Sequence, residues 1–209
     1  TRIRYVFREE FAMKRPIRNE DRSRASWLVP IGLLVLGRKA AARTIFGAML
    51  QRWPDDVYVL ASRAHLLTEA GQVQAALADS RRLVVLRADH AGTWFNHGFM
   101  LEAAGELAEA ETAFRQATSL GPELDRAWYG LGLVLIRLHR YDEAVVALKK
   151  NTELQPMSPY GWYQLARVHV DRAQPDEAVK IIRHLKGFEP KVAAQLERET
   201  GLLVGKAGA

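Results

Sequence analysis

Apolar positions recur along this chain with a period of 34 residues. Trp94, Trp128 and Trp162 mark the beat, and Phe114, Leu148 and Ile182 hold a second large apolar position in the same phase. Small residues keep time with them: Gly98 and Gly132, with Ala166 in the third place, and Ala110, Ala144 and Ala178. Pro122, Pro156 and Pro190 close each period. A fixed period of this length marks an array in which each unit is one supersecondary element stacked on its neighbours. Each unit is predicted to be helix, tight turn, helix. Gly71 and Gly105 stand at the same place after a first helix, where a left-handed cap suits glycine. His139 and Gln174 take that place in the next two units, so different turns are expected there. Asp142 and Pro175-Asp176 suit the start of a second helix. The repeated alanines are expected where two helices cross closely. Truncating Trp128 should cost about 3–5 kcal/mol if its ring is fully buried.

This run of residues resembles the tetratricopeptide repeat (TPR) family, whose unit places Trp, Leu-Gly, Tyr, Ala, Phe, Ala and Pro at set positions of an antiparallel helix pair. The strongest copies are 91–124, 125–158 and 159–192. The middle one reads Trp128, Leu131, Gly132, Leu135, Ala144, Leu148, Pro156, with Leu where Tyr and Phe are usual. The third has His169 in the Tyr slot and Leu185 in the last Ala slot. Two weaker copies precede them. Residues 57–90 keep Leu60, Ala64, Leu67, Gly71, Ala76 and Leu83. Residues 23–56 keep Leu33, Gly37, Ala42, Phe46, Met49 and Pro54, with Pro30 in the Gly slot. The resemblance implies an all-α fold, a right-handed TPR superhelix of about five repeats over 23–192, followed by a C-terminal capping helix and frayed tail over 193–209.

The two ends of the chain depart from the repeat pattern. Residues 1–22 form a basic arm or capping helix, with Ile3, Phe7 and Phe11 spaced by four; a loose tail and a contact with an anionic membrane or acidic partner are the alternatives. The apolar run 27–36 is too short to span a bilayer. It lies in the repeat frame and is read as a buried repeat helix, although Pro30 should kink it. A partner- or membrane-docking surface and a targeting segment are the other readings. At the far end, Lys191 to Leu203 reads as an amphipathic helix that covers the stack through Val192, Leu196 and Leu203.

Composition excludes several chemistries. The chain has no cysteine, which excludes disulfides, thiolate catalysis and Cys-ligated zinc. Its formal charge of +6 is weighted to the first residues, and no Lys/Arg stripe of the kind that tracks phosphate runs through the repeats, so no nucleic-acid partner is expected. The Arg and Ala richness suggests a bacterial source. There is no phosphate loop, no His-Glu-x-x-His and no nucleophile elbow. His97 and His169 fall on inward-facing positions. The expectation is a protein that is not an enzyme and needs no cofactor or metal, with a cytoplasmic location favoured over a periplasmic or membrane-associated one.

Function is then expected on the concave face, which in this family is lined by the first helix of each repeat. Carried over residue by residue, the resemblance implies a partner-binding groove of Tyr58, His65, Phe95, Asn96, Phe99, Arg126, Tyr129, Leu133, Tyr160, Tyr163 and Arg167. Aromatic anchors bury large area at small entropic cost. Asn96 could hold a ligand backbone amide, and Arg126 and Arg167 a carboxylate. The carboxylate clamp of chaperone-binding members is broken, because Ala61, His65 and Gly130 occupy clamp slots beside Asn96 and Arg126. The layout is closer to bacterial five-repeat assembly proteins of pilus biogenesis or the magnetosome. The expected function is a non-catalytic adaptor that binds a peptide or helix of a protein partner. The alternatives are a scaffold that self-associates through the N-terminal arm or residues 27–36, and the TPR module of a larger enzyme or membrane-associated assembly.

Overall fold

Five helix hairpins in this chain close with the same device, one left-handed residue every 34 positions. It is Gly37, Gly71, Gly105, His139 and Ala173, with φ of 71°, 71°, 83°, 57° and 55°. At each, the residue's N–H donates to the carbonyl three residues back, and the next N–H donates to the carbonyl five residues back. The pairs run from Gly37 to Leu34 and Arg38 to Leu33 through to Ala173 to Val170 and Gln174 to His169. This double bond satisfies carbonyls that a helix end leaves open. The expectation of different turns in the last two units is therefore corrected. His139 takes the left-handed conformation without being glycine, and in the fifth unit the position is Ala173, not Gln174.

The computed structural model describes residues 25–203 and divides the chain into two units, Thr1–Leu86 and Arg87–Ala209. The arm over 1–22 and the end of the tail lie outside the described residues. Among those described there are eleven helices and no strand. The first unit holds α1 (Ala25–Val35), α2 (Lys39–Arg52), α3 (Val57–Glu69) and α4 (Val73–Leu86). The second holds α5 (Ala91–Ala104), α6 (Leu107–Leu120), α7 (Asp125–Arg137), α8 (Tyr141–Leu154), α9 (Pro159–Asp171), α10 (Pro175–Lys186) and α11 (Pro190–Thr200). Local chemistry fixes several starts. The Asp56 carboxylate accepts from the N–H groups of Tyr58 and Val59, and His90 Nδ1 accepts from Thr93 N–H. Proline opens α9, α10 and α11, where its missing N–H has no helical partner in any case.

The period seen in the sequence is a packing period. Ala42, Ala76, Ala110, Ala144 and Ala178 are all fully buried, as are Phe46, Phe114, Leu148 and Ile182. In the second unit the Phe114 ring fills space vacated by glycines. A Cβ on Gly98 would stand 3.0 Å from it, and one on Gly130 only 2.6 Å. Gly132 does the same for Leu148, at 2.7 Å. The tryptophans are half-buried rather than enclosed, and each indole Nε1–H donates to the carbonyl six residues earlier. Trp94 reaches Ala88 at 2.8 Å, Trp128 reaches Pro122 at 2.8 Å and Trp162 reaches Pro156 at 2.9 Å. Their role is to pin the loop between repeats, so the cost set out above for a fully enclosed Trp128 does not apply.

Two ends depart from expectation. The run 27–36 is not a buried helix. Helix α1 continues through Pro30, whose ring is buried, and Leu33 packs on the cluster of Ala42, Phe46 and Met49. Yet Leu28, Val29, Ile31, Leu34, Val35 and Leu36 are exposed. One helix touching one neighbour can bury only a single stripe, and α1 is apolar on more sides than that. At the other end α11 covers the stack through Ala193 and Leu196, both fully buried, whereas Leu203 is 85% exposed beyond the helix.

Candidate functional site

In the second unit the first helices of successive repeats pack side by side. Helix α5 touches α7, α7 touches α9, and α9 touches α11. Residues one turn apart on these helices share a face. Asn96 and Phe99 lie on α5, while Tyr129 and Leu133 lie on α7; all four are half-buried. The Asn96 Oδ1 atom is buried and has no hydrogen-bond donor among the described residues. Such an acceptor is costly to leave unsatisfied.

Phe95 does not join this lining. It is 5% exposed, with its ring centroid 6.0 Å from that of Phe114 and the Arg126 guanidinium 5.4 Å from the same centroid. Phe95 is a core residue because its helix turn points into the hairpin, and Arg126 is a cation–π lid on it. Nearby, Arg137 Nη1 donates to the Glu102 carbonyl at 3.2 Å and approaches its carboxylate at 3.5 Å, tying α7 to α5.

On α9 the expected residues divide. Tyr160 is 70% exposed at the helix start. Tyr163 and Arg167 are engaged within the chain. The Tyr163 hydroxyl donates to the Glu199 carboxylate of α11, and Arg167 Nη1 donates to the same oxygen at 3.1 Å. Hydrogen bonds from Tyr163 and Gln195, with Arg167 close by, hold the Glu199 carboxyl below the usual carboxylate range. Sequence reasoning missed Glu199. The only signal for it was its position, about one repeat after the groove slots of α9, on a helix read as a plain cap.

Tyr58 and His65 belong to the first unit and are both half-buried on α3. His65 Nε2 lies 3.8 Å from Glu69, whose carboxylate also accepts from Lys39 at 2.9 Å. Burial pushes the His65 imidazole below its ordinary value; Glu69 opposes that shift and Lys39 adds to it. His97 and His169 are buried, as their inward-facing positions imply. Among the described residues no group of three or more His, Asp or Glu is placed to hold a metal ion.

Paired helices, left-handed closures and small-residue cradles in one 34-residue frame define a tetratricopeptide-repeat fold. Residues 101–156 match the family model of the tetratricopeptide repeat, and the chain has a TPR fold. Solved structures agree at low identity. MamA from Desulfovibrio magneticus RS-1 superposes with a TM-score of 0.72 at 19% identity, over 84% of this chain and 94% of that one. YrrB, described as a TPR protein with an unusual peptide-binding site, gives 0.72 at 12%, over 83% and 90%. TTC0263, a thermophilic TPR protein of Thermus thermophilus, gives 0.59 at 22%, over 86% and 98%. A search of curated proteins finds no match.

Proposed function

We propose that the first-helix face of the second unit binds a segment of another protein without catalysing a reaction on it. The observation that carries this reading is the Asn96 amide oxygen, buried and without a donor on α5, three residues from Phe99 and on a helix that touches α7, which carries Tyr129 and Leu133. A peptide N–H supplies the donor it lacks once the Asn96 amide turns outward, and the half-buried Phe99 and Tyr129 rings supply apolar anchoring. The TPR fold supports the reading, since one protein of this fold, YrrB, is described as having a peptide-binding site. Phe95 and Arg126 pack on each other, while Tyr163 and Arg167 bind the chain's own capping helix and leave the partner to α5 and α7.

Selection of peptides from a random displayed library on the whole chain tests this. Selected peptides should bind with affinities of about micromolar, near −8 kcal/mol. Phe99→Ala, Tyr129→Ala and Asn96→Ala should each weaken them about tenfold or more, because each removes a central anchor. Circular dichroism should show unchanged helicity. Peptides whose binding ignores all three substitutions would move the site off this face.

A further inference from the structure

Among the described residues, α1 and the turn after it carry six exposed large apolar side chains that the proposed peptide face does not use. Leu28 is 67% exposed and Val35 82%, with Val29, Ile31, Leu34 and Leu36 between and beside them. The opposite side of the helix is occupied by protein, through Pro30 and Leu33. The charge pattern around it is one-sided. From Arg22 to Pro54 the sequence contains no Asp or Glu, while it carries Arg22, Arg24, Arg38, Lys39, Arg43 and Arg52. Arg38 is exposed in the turn that ends α1, whereas the Lys39 ammonium is held by Glu69 at 2.9 Å.

We infer that α1 docks on an anionic lipid surface, with its exposed apolar side in the acyl boundary and the basic flank at the headgroups. Eleven residues of helix span too little to cross a bilayer, and among the described residues no helix is long and apolar enough to do so. Lying in the interface is the remaining membrane geometry. A free interfacial helix needs a polar face toward water; here the body of the first unit takes that place. With Lys39 neutralised by Glu69, anionic headgroups complement Arg38, exposed in the turn that ends the helix. A second copy docked face to face would instead bring two basic flanks together, since a two-fold interface apposes the same patch on both partners.

The test uses the whole chain and sedimentation with vesicles of phosphatidylglycerol and phosphatidylcholine, or of phosphatidylcholine alone. The chain should pellet with the anionic vesicles and not with the neutral ones, and raising salt from about 0.1 M to about 0.5 M should weaken the association through screening. Leu28→Ser/Val35→Ser should reduce partitioning by at least about tenfold, since two exposed apolar side chains no longer enter the interface. Both positions are open to solvent, so circular dichroism of the variant should match the parent. Arg38→Glu should reduce binding to anionic vesicles by a smaller factor. Three outcomes overturn the inference: no pelleting, pelleting that the Ser variant retains in full, which would assign it to the basic arm, and a lipid-free, concentration-dependent rise in mass that the Ser variant abolishes, which would make a second copy the occupant of α1.

Discussion

The first and second units meet the same 34-residue frame with different interiors. In the first, Arg63 and Asp79 form a bidentate pair, Nε to Oδ2 at 2.7 Å and Nη2 to Oδ1 at 2.5 Å, with Asp79 buried. One and more periods later the same two slots hold His97 and Ala113, then Leu131 and Ala147, then Leu165 and Ile181, all buried. The first unit also lacks the tryptophan. Leu60 stands in that slot, and an Asp56 cap fixes the start of α3 where the second unit uses an indole bond to the preceding loop. At these two slots the frame thus fixes the backbone, not the polarity or the size of the side chain. A charged pair survives inside it wherever both partners are present and their geometry is good.

The largest effect is expected from removing one charge of the pair. Asp79→Ala leaves the Arg63 guanidinium half-enclosed and without its carboxylate, and should destabilise the first unit by about 3 kcal/mol. Adding Arg63→Leu copies the apolar solution of the second unit and should recover most of that loss, because the pair's desolvation cost disappears with it. Chemical denaturation, with hydrogen exchange on α3 and α4, reads both. A double variant no more stable than the single one would mean that the slot in the first unit is shaped for the ion pair and not merely tolerant of it.

What the sequence disclosed follows the same division. Positions kept small from the second copy onward were legible, because a close helix crossing leaves no room for a larger side chain: Ala110, Ala144, Gly98 and Gly132 all lie where the period puts them. Positions where backbone matters more than side chain were not. Ala173 carries no mark of its left-handed φ, and only the spacing from Gly37, Gly71 and Gly105 reveals it. Exposure was misjudged at α1, since an apolar run has the same composition whether or not a neighbour covers it. The groove was read from slots that say which helix face a residue occupies, not how deep it sits; Phe95 went to the core for that reason, and Glu199 was missed because the capping helix had no slot to assign.

A smaller effect probes the hairpin closures, which contrast within the second unit. An L-residue held at φ near 55° costs about 1–2 kcal/mol relative to glycine, while glycine gives back part of that through the unfolded chain. Ala173→Gly should therefore stabilise the protein by about 0.5–1 kcal/mol. His139→Gly should gain less, since it forfeits the 2.9 Å bond between His139 Nδ1 and the Tyr141 hydroxyl. Gly105→Ala should lose about 1 kcal/mol with no steric clash, because nothing lies within 4 Å of a Cβ there. Denaturant midpoints measure all three. Destabilisation by Ala173→Gly would show that the closure at Ala173 is not left-handed in solution.

The smallest effect is electrostatic and sits at the end of the second unit. Glu199 titrates below the ordinary glutamate value chiefly because the Tyr163 hydroxyl donates to its ionised form, with Gln195 and Arg167 adding to it. A carboxyl lowered on folding contributes stability above its ordinary pKa and loses it as pH falls through the folded value. Acidification from neutral into that range should therefore loosen α11 from α9 before the rest of the unit opens, visible as faster hydrogen exchange at α11 alone. The Glu199 carboxyl followed by carbon NMR should have a midpoint below that of an unpaired glutamate, and Tyr163→Phe should raise it. The site is open to solvent and screened, so the gain in stability is slight, but the midpoint remains measurable. A Glu199 midpoint at the ordinary value, unmoved by Tyr163→Phe, would mean that the tether does not persist in water. Tyr163 and Arg167 would then be available on the α9 face, and the proposed peptide site would extend one repeat further.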